Sequence, residues 1–271
     1  FTETMMLGSG GIFGTPLYTS ATSLFYFILF GAFFSQCGGG QLLIDFGMKF
    51  SNKSAGGPAK AAIISSGLMG MISGSAVANV STTGVMTIPM MKRVGYAPHQ
   101  AGAIEAVAST GGQIMPPIMG VGAFIMAEML GVPYKTVAFA AIIPALAYYG
   151  SVFFLVTFMA KKEAIDSDKE AVTIEIKDPL LERVYMIIPA IVLVIYIISG
   201  KSLMRSGMVG ILTVLLCNLF SKFYKGGKYY QTLKTTANTA IDGVKQASNI
   251  AIPTAACGII IGVVIQSGLA T

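Results

Sequence analysis

Long apolar runs alternate with short polar breaks along this chain, and the run lengths predict its elements. Leu17 to Cys37 is a stretch of 21 apolar or small residues without a charge. That is long enough for one helix across a bilayer core of about 30 Å. Thr2 to Pro16, rich in Gly, Ser and Thr, reads as a loop before it. Gly38 to Pro58 reads as a glycine-rich connector. Within it Ile44, Phe46, Met48 and Phe50 mix with Asp45 and Lys49, the pattern of an interfacial segment. Two apolar runs follow, Ala61–Ile72 and Val80–Met91, of 12 residues each. As helix each rises roughly 18 Å, so neither crosses alone. Between them lies Ser73-Gly74-Ser75-Ala76-Val77-Ala78-Asn79. The economical reading is a re-entrant helical hairpin with a non-helical tip near the midplane. Such backbone is tolerated at that depth only inside protein or against a polar cavity.

A second interrupted element runs from Ala101 to Met129. Ala101–Thr110 has helical character and is followed by Gly111-Gly112-Gln113-Ile114-Met115-Pro116-Pro117. Proline pushes the residue before it out of helical geometry, so the helix breaks here. Pro117 is then expected to open a second half-helix, where its missing donor costs nothing. The end of the first half is expected to expose carbonyls, and the start of the second, amides. Thr136–Met159 reads as a full span and Lys161–Arg183 as a charged linker. Val184–Ser199, extended back into Leu180-Leu181, and Leu203–Phe220 read as two spans joined by a Gly200-Lys201-Ser202 turn. Lys222–Asn249 is polar, with Leu233, Ala237, Ile241 and Val244 at helical spacing, as in an interfacial amphipathic helix. Ile250–Leu269 is a last apolar run.

Composition sharpens this picture. The chain is 54% hydrophobic and 11% charged, against about 25% charged in soluble domains. Its mean hydropathy is +0.72. The fold class is therefore all-α integral membrane. The net charge of +6 does not indicate nucleic acid, because the basic residues sit between apolar spans instead of along one face. With the hairpin entering and leaving on one side, 15 of the 18 Lys and Arg residues fall on that side. The other three are Lys135, Lys201 and Arg205. The positive-inside rule makes the hairpin mouth and the 161–183 linker cytoplasmic. Cys37, Cys217 and Cys257 lie in or beside apolar runs without metal spacing. His99, after Pro98, reads as a helix-start residue. The chain begins at Phe1 and stops at Thr271 just after an apolar run, which reads as a piece of a longer protein.

Paired discontinuous elements point to a secondary transporter's binding site. Half-helix C-termini and unwound carbonyls suit a cation, and half-helix N-termini suit a carboxylate. Side-chain oxygens come from Ser73, Ser75 and Asn79 at one break, and from Ser109, Thr110 and Gln113 at the other. The competing reading is close helix packing by small residues. Glu105, one turn before Ser109, is an intramembrane acid that either senses protons or holds the break in shape. Glu128, near the end of its span, reads as an interface acid. No nucleophile–base set, metal-ligand cluster or phosphate loop is present, so the chain does not read as an enzyme and no cofactor is expected.

The stretches GSAVANVSTTGVMTIPMMKRVGY, AGAIEAVASTGGQIMPPIMGVGAFIMAE and PALAYYGSVFF resemble the large membrane (M) component of tripartite ATP-independent periplasmic (TRAP) transporters. The nearest subgroup is the fused permeases that work with TAXI-type solute-binding proteins. The likeness is specific from about Gly10 to Tyr149 and weaker to Ala270. It implies an elevator-type repeat of the ion transporter superfamily in a bacterial or archaeal cytoplasmic membrane. Organic acids would be delivered by a periplasmic binding protein and imported with a cation gradient. By that likeness residues 1–160 form the first transport-domain repeat. Residues 161–183 are the linker, 184–224 paired scaffold spans, 225–249 an arm helix and 250–271 the truncated start of a second repeat. The resemblance assigns a first sodium site to Ser73, Gly74, Ser75, Asn79, Ser109, Gly111, Gly112 and Met115. Ser75, Ala76, Thr110, Gln113 and Pro116 would lie near the substrate. A small membrane (Q) component is implied, fused upstream. With one repeat only, the chain alone is expected not to transport. Na⁺ and H⁺ coupling both stay open, as do a carrier without a binding protein and a non-transporting scaffold.

Overall fold

A computed structural model describes residues 8, 11–51, 56–163, 184–224 and 229–268, and no strand occurs among them. In chain order the helices are α1 (Thr15–Gln36), α2 (Gly39–Ser51), α3 (Gly57–Ser73), α4 (Ala76–Arg93) and α5 (Pro98–Gly111). They continue with α6 (Val121–Leu130), α7 (Tyr134–Lys162), α8 (Val184–Ile198), α9 (Leu203–Tyr224) and α10 (Tyr229–Gln266). Four helical stretches are long and apolar enough to cross a membrane: Thr15–Gln36, Tyr134–Lys162, Leu203–Ser221 and Thr235–Gln266. Along α7 the side chains of Ile143, Leu146, Phe154, Leu155 and Phe158 are exposed. So much apolar surface is foreign to a soluble monomer and suits lipid.

The contacts divide the chain into two compact units. One draws on 35–120 and 138–188. Its centre is the hairpin of α3 and α4, antiparallel and joined through Gly74-Ser75. A helical hairpin is therefore present where one was expected, with two differences in its helices. Its halves have 17 and 18 residues, longer than the apolar runs, because helix extends through Lys60 at one mouth and Lys92-Arg93 at the other. Its non-helical tip is shorter: Ser73 ends α3 and Ala76–Asn79 already form the first turn of α4. Local chemistry explains so tight a turn. Gly74 takes a left-handed φ of 63° that closes α3, a conformation glycine adopts freely. Ser75 caps α4, its Oγ accepting from the Ala78 amide at 3.3 Å, the usual role of an N-cap serine.

Helix α2 replaces the expected connector. Gly47 lets it lie against α3 so closely that a Cβ there would sit 2.7 Å from the Ser65 nitrogen. Ser65 Oγ donates to Ala61 O at 2.7 Å and reaches Ile44 O at 3.3 Å. Ile44 and Met48 pack on Ala61 and Met90. Residues whose composition suggested a loop are thus held helical by packing. On the other side of the hairpin, Ala59, Ala62, Ile63 and Met91 join Ile104 and Ala108 of α5 and Val152 and Val156 of α7 in one apolar cluster.

The second unit draws on 1–34, 121–137 and 189–271. Phe27 of α1 packs on Phe124 of α6 at 5.1 Å between ring centroids, and Phe124 stacks on Tyr134 at 4.4 Å. Gly207 and Gly210 of α9 abut Tyr26 and Phe30, the close approach that small residues allow between membrane helices. A π-helical turn, Ser20–Leu24, interrupts α1. The Gly200-Lys201-Ser202 turn forms as expected. Gly200 is left-handed at φ 70°, and Lys201 N–H returns to Tyr196 O at 3.4 Å.

One expectation for the C-terminal part needs correction. Lys222–Asn249 and Ile250–Leu269 are not separate elements; α10 runs unbroken from Tyr229 to Gln266, with Pro253 inside it. The apolar stripe faces outward. Ala237, Ile241 and Val244 are exposed, while Thr239 and Gly243 are buried, Gly243 against Leu29 and Ala32. Lipid is as apolar as a protein core, so small residues, not bulky apolar ones, mark the packed face. Leu233's side chain lies outside the described residues, as does the linker beyond Glu163 with Leu180-Leu181.

Candidate functional site

The first unit brings the two polar breaks of the sequence side by side. Gly70, one turn before the hairpin tip, meets Gly112 just past the end of α5. A Cβ on Gly112 would lie 2.5 Å from Gly70 Cα and 2.9 Å from Gly70 C. Ile118 N–H donates to Met71 O at 3.2 Å, and the Met119 carbonyl lies directly against Gly74. The loop from Gly112 to Gly120 therefore folds back over the tip. It contains the cis Pro116-Pro117 peptide and a left-handed Met119 at φ 60°. Pro117 does not open the second half-helix: α6 starts at Val121. The intervening residues spend their polar groups on the loop itself, with Gly120 N–H on Gln113 O at 2.6 Å, and on the hairpin.

The carbonyls ending α5 are also better satisfied than expected. Tyr148 and Tyr149 of α7 donate to Val107 O at 2.9 Å and Ala108 O at 2.8 Å. Ser109, Thr110 and Gly111 carbonyls accept from Gly112, Gln113 and Ile114 amides. Each retains a second lone pair, but none is an orphan.

Of the side chains singled out in the sequence, Asn79 and Ser109 are fully buried. Ser73, Ser75, Ala76, Met115 and Pro116 are half-buried, and Thr110 and Gln113 are exposed. Thr110 Oγ1 donates back to Ala106 O at 2.7 Å. Glu128 is exposed near the end of α6 and His99 is exposed at the start of α5, both as expected.

Asn79 stands apart from the others. Its Nδ2 donates to Ser66 O across the hairpin at 2.7 Å, while its Oδ1 is buried with no hydrogen-bond partner among the described residues. Buried polar atoms nearly always have a partner. A carbonyl can only accept, so the nitrogen must face Ser66 O. That leaves Oδ1 as the unspent group. A buried acceptor oxygen without a donor among the described residues suits a small hard cation.

Glu105 is the second feature. It is 0% exposed, and four hydroxyls from three helices surround it. Its Oε1 accepts from Ser66 Oγ of α3 at 2.7 Å, from Thr83 Oγ1 of α4, and from Ser109 Oγ at 3.1 Å. Its Oε2 accepts from Thr87 Oγ1 at 2.6 Å. Burying a carboxyl is costly unless its lone pairs are engaged, and here the hydroxyls replace water. The sequence reading found Glu105 and Ser109 but missed Ser66, Thr83 and Thr87. A signal was present: Asn79, Thr83 and Thr87 recur every fourth residue, a polar stripe on one face of an apolar helix. Tyr148 and Tyr149 were also missed. The described residues contain no cluster of His, Cys, Asp or Glu suited to a metal ion.

A family model for the "Tripartite ATP-independent periplasmic transporter, DctM component" matches residues 2–271. A putative TRAP transporter large permease protein of Haemophilus influenzae is 36% identical over 92 residues, 34% of this chain and 22% of that protein. The C4-dicarboxylate TRAP transporter large permease protein DctM of Pseudomonas aeruginosa is 33% identical over 106 residues, 39% of this chain and 25% of that protein. The 2,3-diketo-L-gulonate TRAP transporter large permease protein YiaN of Escherichia coli is 27% identical over 92 residues, 34% of this chain and 22% of that protein. The matched stretch thus spans about a quarter of those relatives' length. Because the family match runs through both the hairpin and the interrupted helix, the chain belongs to the DctM family, the large membrane component of tripartite ATP-independent periplasmic transporters.

Proposed function

We propose that this chain forms one half of the transport site in an organic-acid importer driven by a Na⁺ gradient. The observation that carries the reading is Asn79 Oδ1, buried and without a partner among the described residues, on a side chain whose Nδ2 lies against Gly70. Na⁺ is cargo in this scheme. Its ligands are Asn79 Oδ1, backbone oxygens of Ser73–Ser75 at the tip, and those of Ser109–Gly112 and Met115 at the break. Glycine at 70, 74 and 112 lets backbone come close enough to share an ion. The acid would lie beside Ser75, Ala76, Thr110, Gln113 and Pro116, where helix-start amides favour an anion. Two of the relatives carry names of organic-acid TRAP transporters, which supports that substrate class.

A periplasmic solute-binding protein, of TAXI type by the sequence likeness, hands over the acid, and a small membrane component completes the permease. The basic residues place the hairpin mouth in the cytoplasm, and the hairpin unit moves as an elevator against fixed spans. The test is uptake of radiolabelled organic acids by the intact permease in liposomes, with its binding protein and an imposed Na⁺ gradient. Uptake is expected to need both and to fall at least about tenfold in Asn79→Ala, the scale of losing one well-placed ligand. Na⁺-independent uptake, or full Na⁺ dependence in Asn79→Ala, would refute the assignment.

A further inference from the structure

The cation reading of Asn79 uses only one end of its side chain. An amide can be turned by half a rotation, exchanging oxygen for nitrogen. A cation is bound by one orientation and repelled by the other. What fixes the orientation is therefore part of the site.

Asn79 is held by Ser66 O. Ser66 belongs to α3 and Asn79 to α4, so this hydrogen bond lasts only while the hairpin's two helices stay in register. One turn further from the tip, Ser66 Oγ and Thr83 Oγ1 lie 3.0 Å apart, and both end on the same oxygen of Glu105. Thr83 Oγ1 also reaches Asn79 O at 2.9 Å. Glu105 thus grips the residue that holds the Asn79 side chain and the residue that touches its backbone. The grip is dry, since Ser66, Thr83 and Glu105 are each 0% exposed. Tyr149 of α7 is the titratable group facing this cluster from the remaining packed helix. Its hydroxyl is committed to Ala108 O at 2.8 Å.

We infer that Glu105 is a positioning residue: through Ser66 and Thr83 it locks the Asn79 amide with Oδ1 presented to the coupling cation. The inference rests on the reading of Asn79 as a cation ligand. Its chemistry separates shape from charge. In Glu105→Gln, the amide oxygen keeps the Oε1 place and its three donors. The amide nitrogen then faces Thr87 Oγ1, whose own proton turns to Thr83 O at 3.0 Å. The four hydroxyls remain satisfied without a charge. In Glu105→Ala three hydroxyls lose their common acceptor and the amide is released.

The experiment titrates the purified intact permease with Na⁺ and reads its thermal stabilisation, alongside uptake at varied pH. Glu105→Gln is expected to keep apparent Na⁺ affinity within about threefold of the parent and to leave the pH profile of uptake in place. Glu105→Ala is expected to weaken Na⁺ at least about tenfold, the equivalent of about 1.4 kcal/mol, with half-saturating organic acid unchanged at saturating Na⁺. Should Glu105→Ala fail to fold, Thr83→Val replaces it, with the same weakening expected and with Thr83→Ser restoring affinity. Unchanged Na⁺ affinity in Glu105→Ala or Thr83→Val overturns the inference. So does a Glu105→Gln variant as impaired as Glu105→Ala or with a flattened pH profile, which would make the charge or proton the working part. A parent protein that Na⁺ does not stabilise removes the reading of Asn79 itself, and this inference with it.

Discussion

Replacing Gly112 by alanine tests the contact on which the candidate site is built. Its backbone is in the right-handed helical region, at φ −59° and ψ −26°, so alanine fits the local conformation and gains about 0.5–1 kcal/mol from reduced chain freedom. Across the contact the added Cβ would stand 2.5 Å from Gly70 Cα. Reaching the 3.4 Å of ordinary contact requires a separation of about 0.9 Å between the two backbones. No flexible side chain is there to yield, so the upper part of the overpacking range applies, about 2–3 kcal/mol. The net expectation is a loss of about 1–2.5 kcal/mol, or about 2–10 °C in melting temperature on the scale of domains this size. Gly102→Ala, in the same helix α5 with no atom within 4 Å of its Cβ position, is the matched control and is expected to melt no lower than the parent. The assay is the fraction remaining monodisperse in detergent after heating, repeated with and without Na⁺. Gly112→Ala melting as high as Gly102→Ala would show that the hairpin and the break are not in backbone contact.

Three further outcomes are expected. Gly74→Ala forces a Cβ into a left-handed residue facing the Met119 carbonyl, and should destabilise more than Ser75→Ala, which loses only an N-cap of about 0.5–2 kcal/mol; equal melting temperatures would contradict the tip geometry. Tyr96→Phe removes a buried hydroxyl that has no partner among the described residues, so at pH 8 its melting temperature should match or exceed the parent's. Burial, and then the Glu163 carboxylate, push the Tyr96 phenol up to about 12, so the parent should lose stability as pH rises from about 10 towards 12, and Tyr96→Phe should lose less of it. Tyr149→Phe deprives Ala108 O of its 2.8 Å donor and should lower the melting temperature by about 1 kcal/mol equivalent, read by the same heating assay.

Part of the architecture was legible in the spacing of apolar runs, polar breaks and prolines. Runs too short to cross, set around Ser73–Asn79, called for a hairpin, and Pro116-Pro117 called for a break. What composition could not convey was where packing overrides it. Gly39–Ser51 forms a helix because Gly47 admits Ser65, a contact between distant residues. Polar and apolar halves of α10 merge because nothing at Asn249-Ile250 stops a helix, and its packed face is set by Thr239 and Gly243.

The sequence by itself determined that the chain is a membrane protein with two polar interruptions, since hydropathy and proline act locally along the chain. Only the tertiary structure decided what those interruptions do to each other. It set Gly70 on Gly112, gathered Ser66, Thr83, Thr87 and Ser109 around Glu105, and left Asn79 Oδ1 without a partner among the described residues. The physical reason is that a hydrogen bond or a backbone contact is specified by two positions at once. Three helices, at 57–73, 76–93 and 98–111, must be packed together before any of those pairs exists.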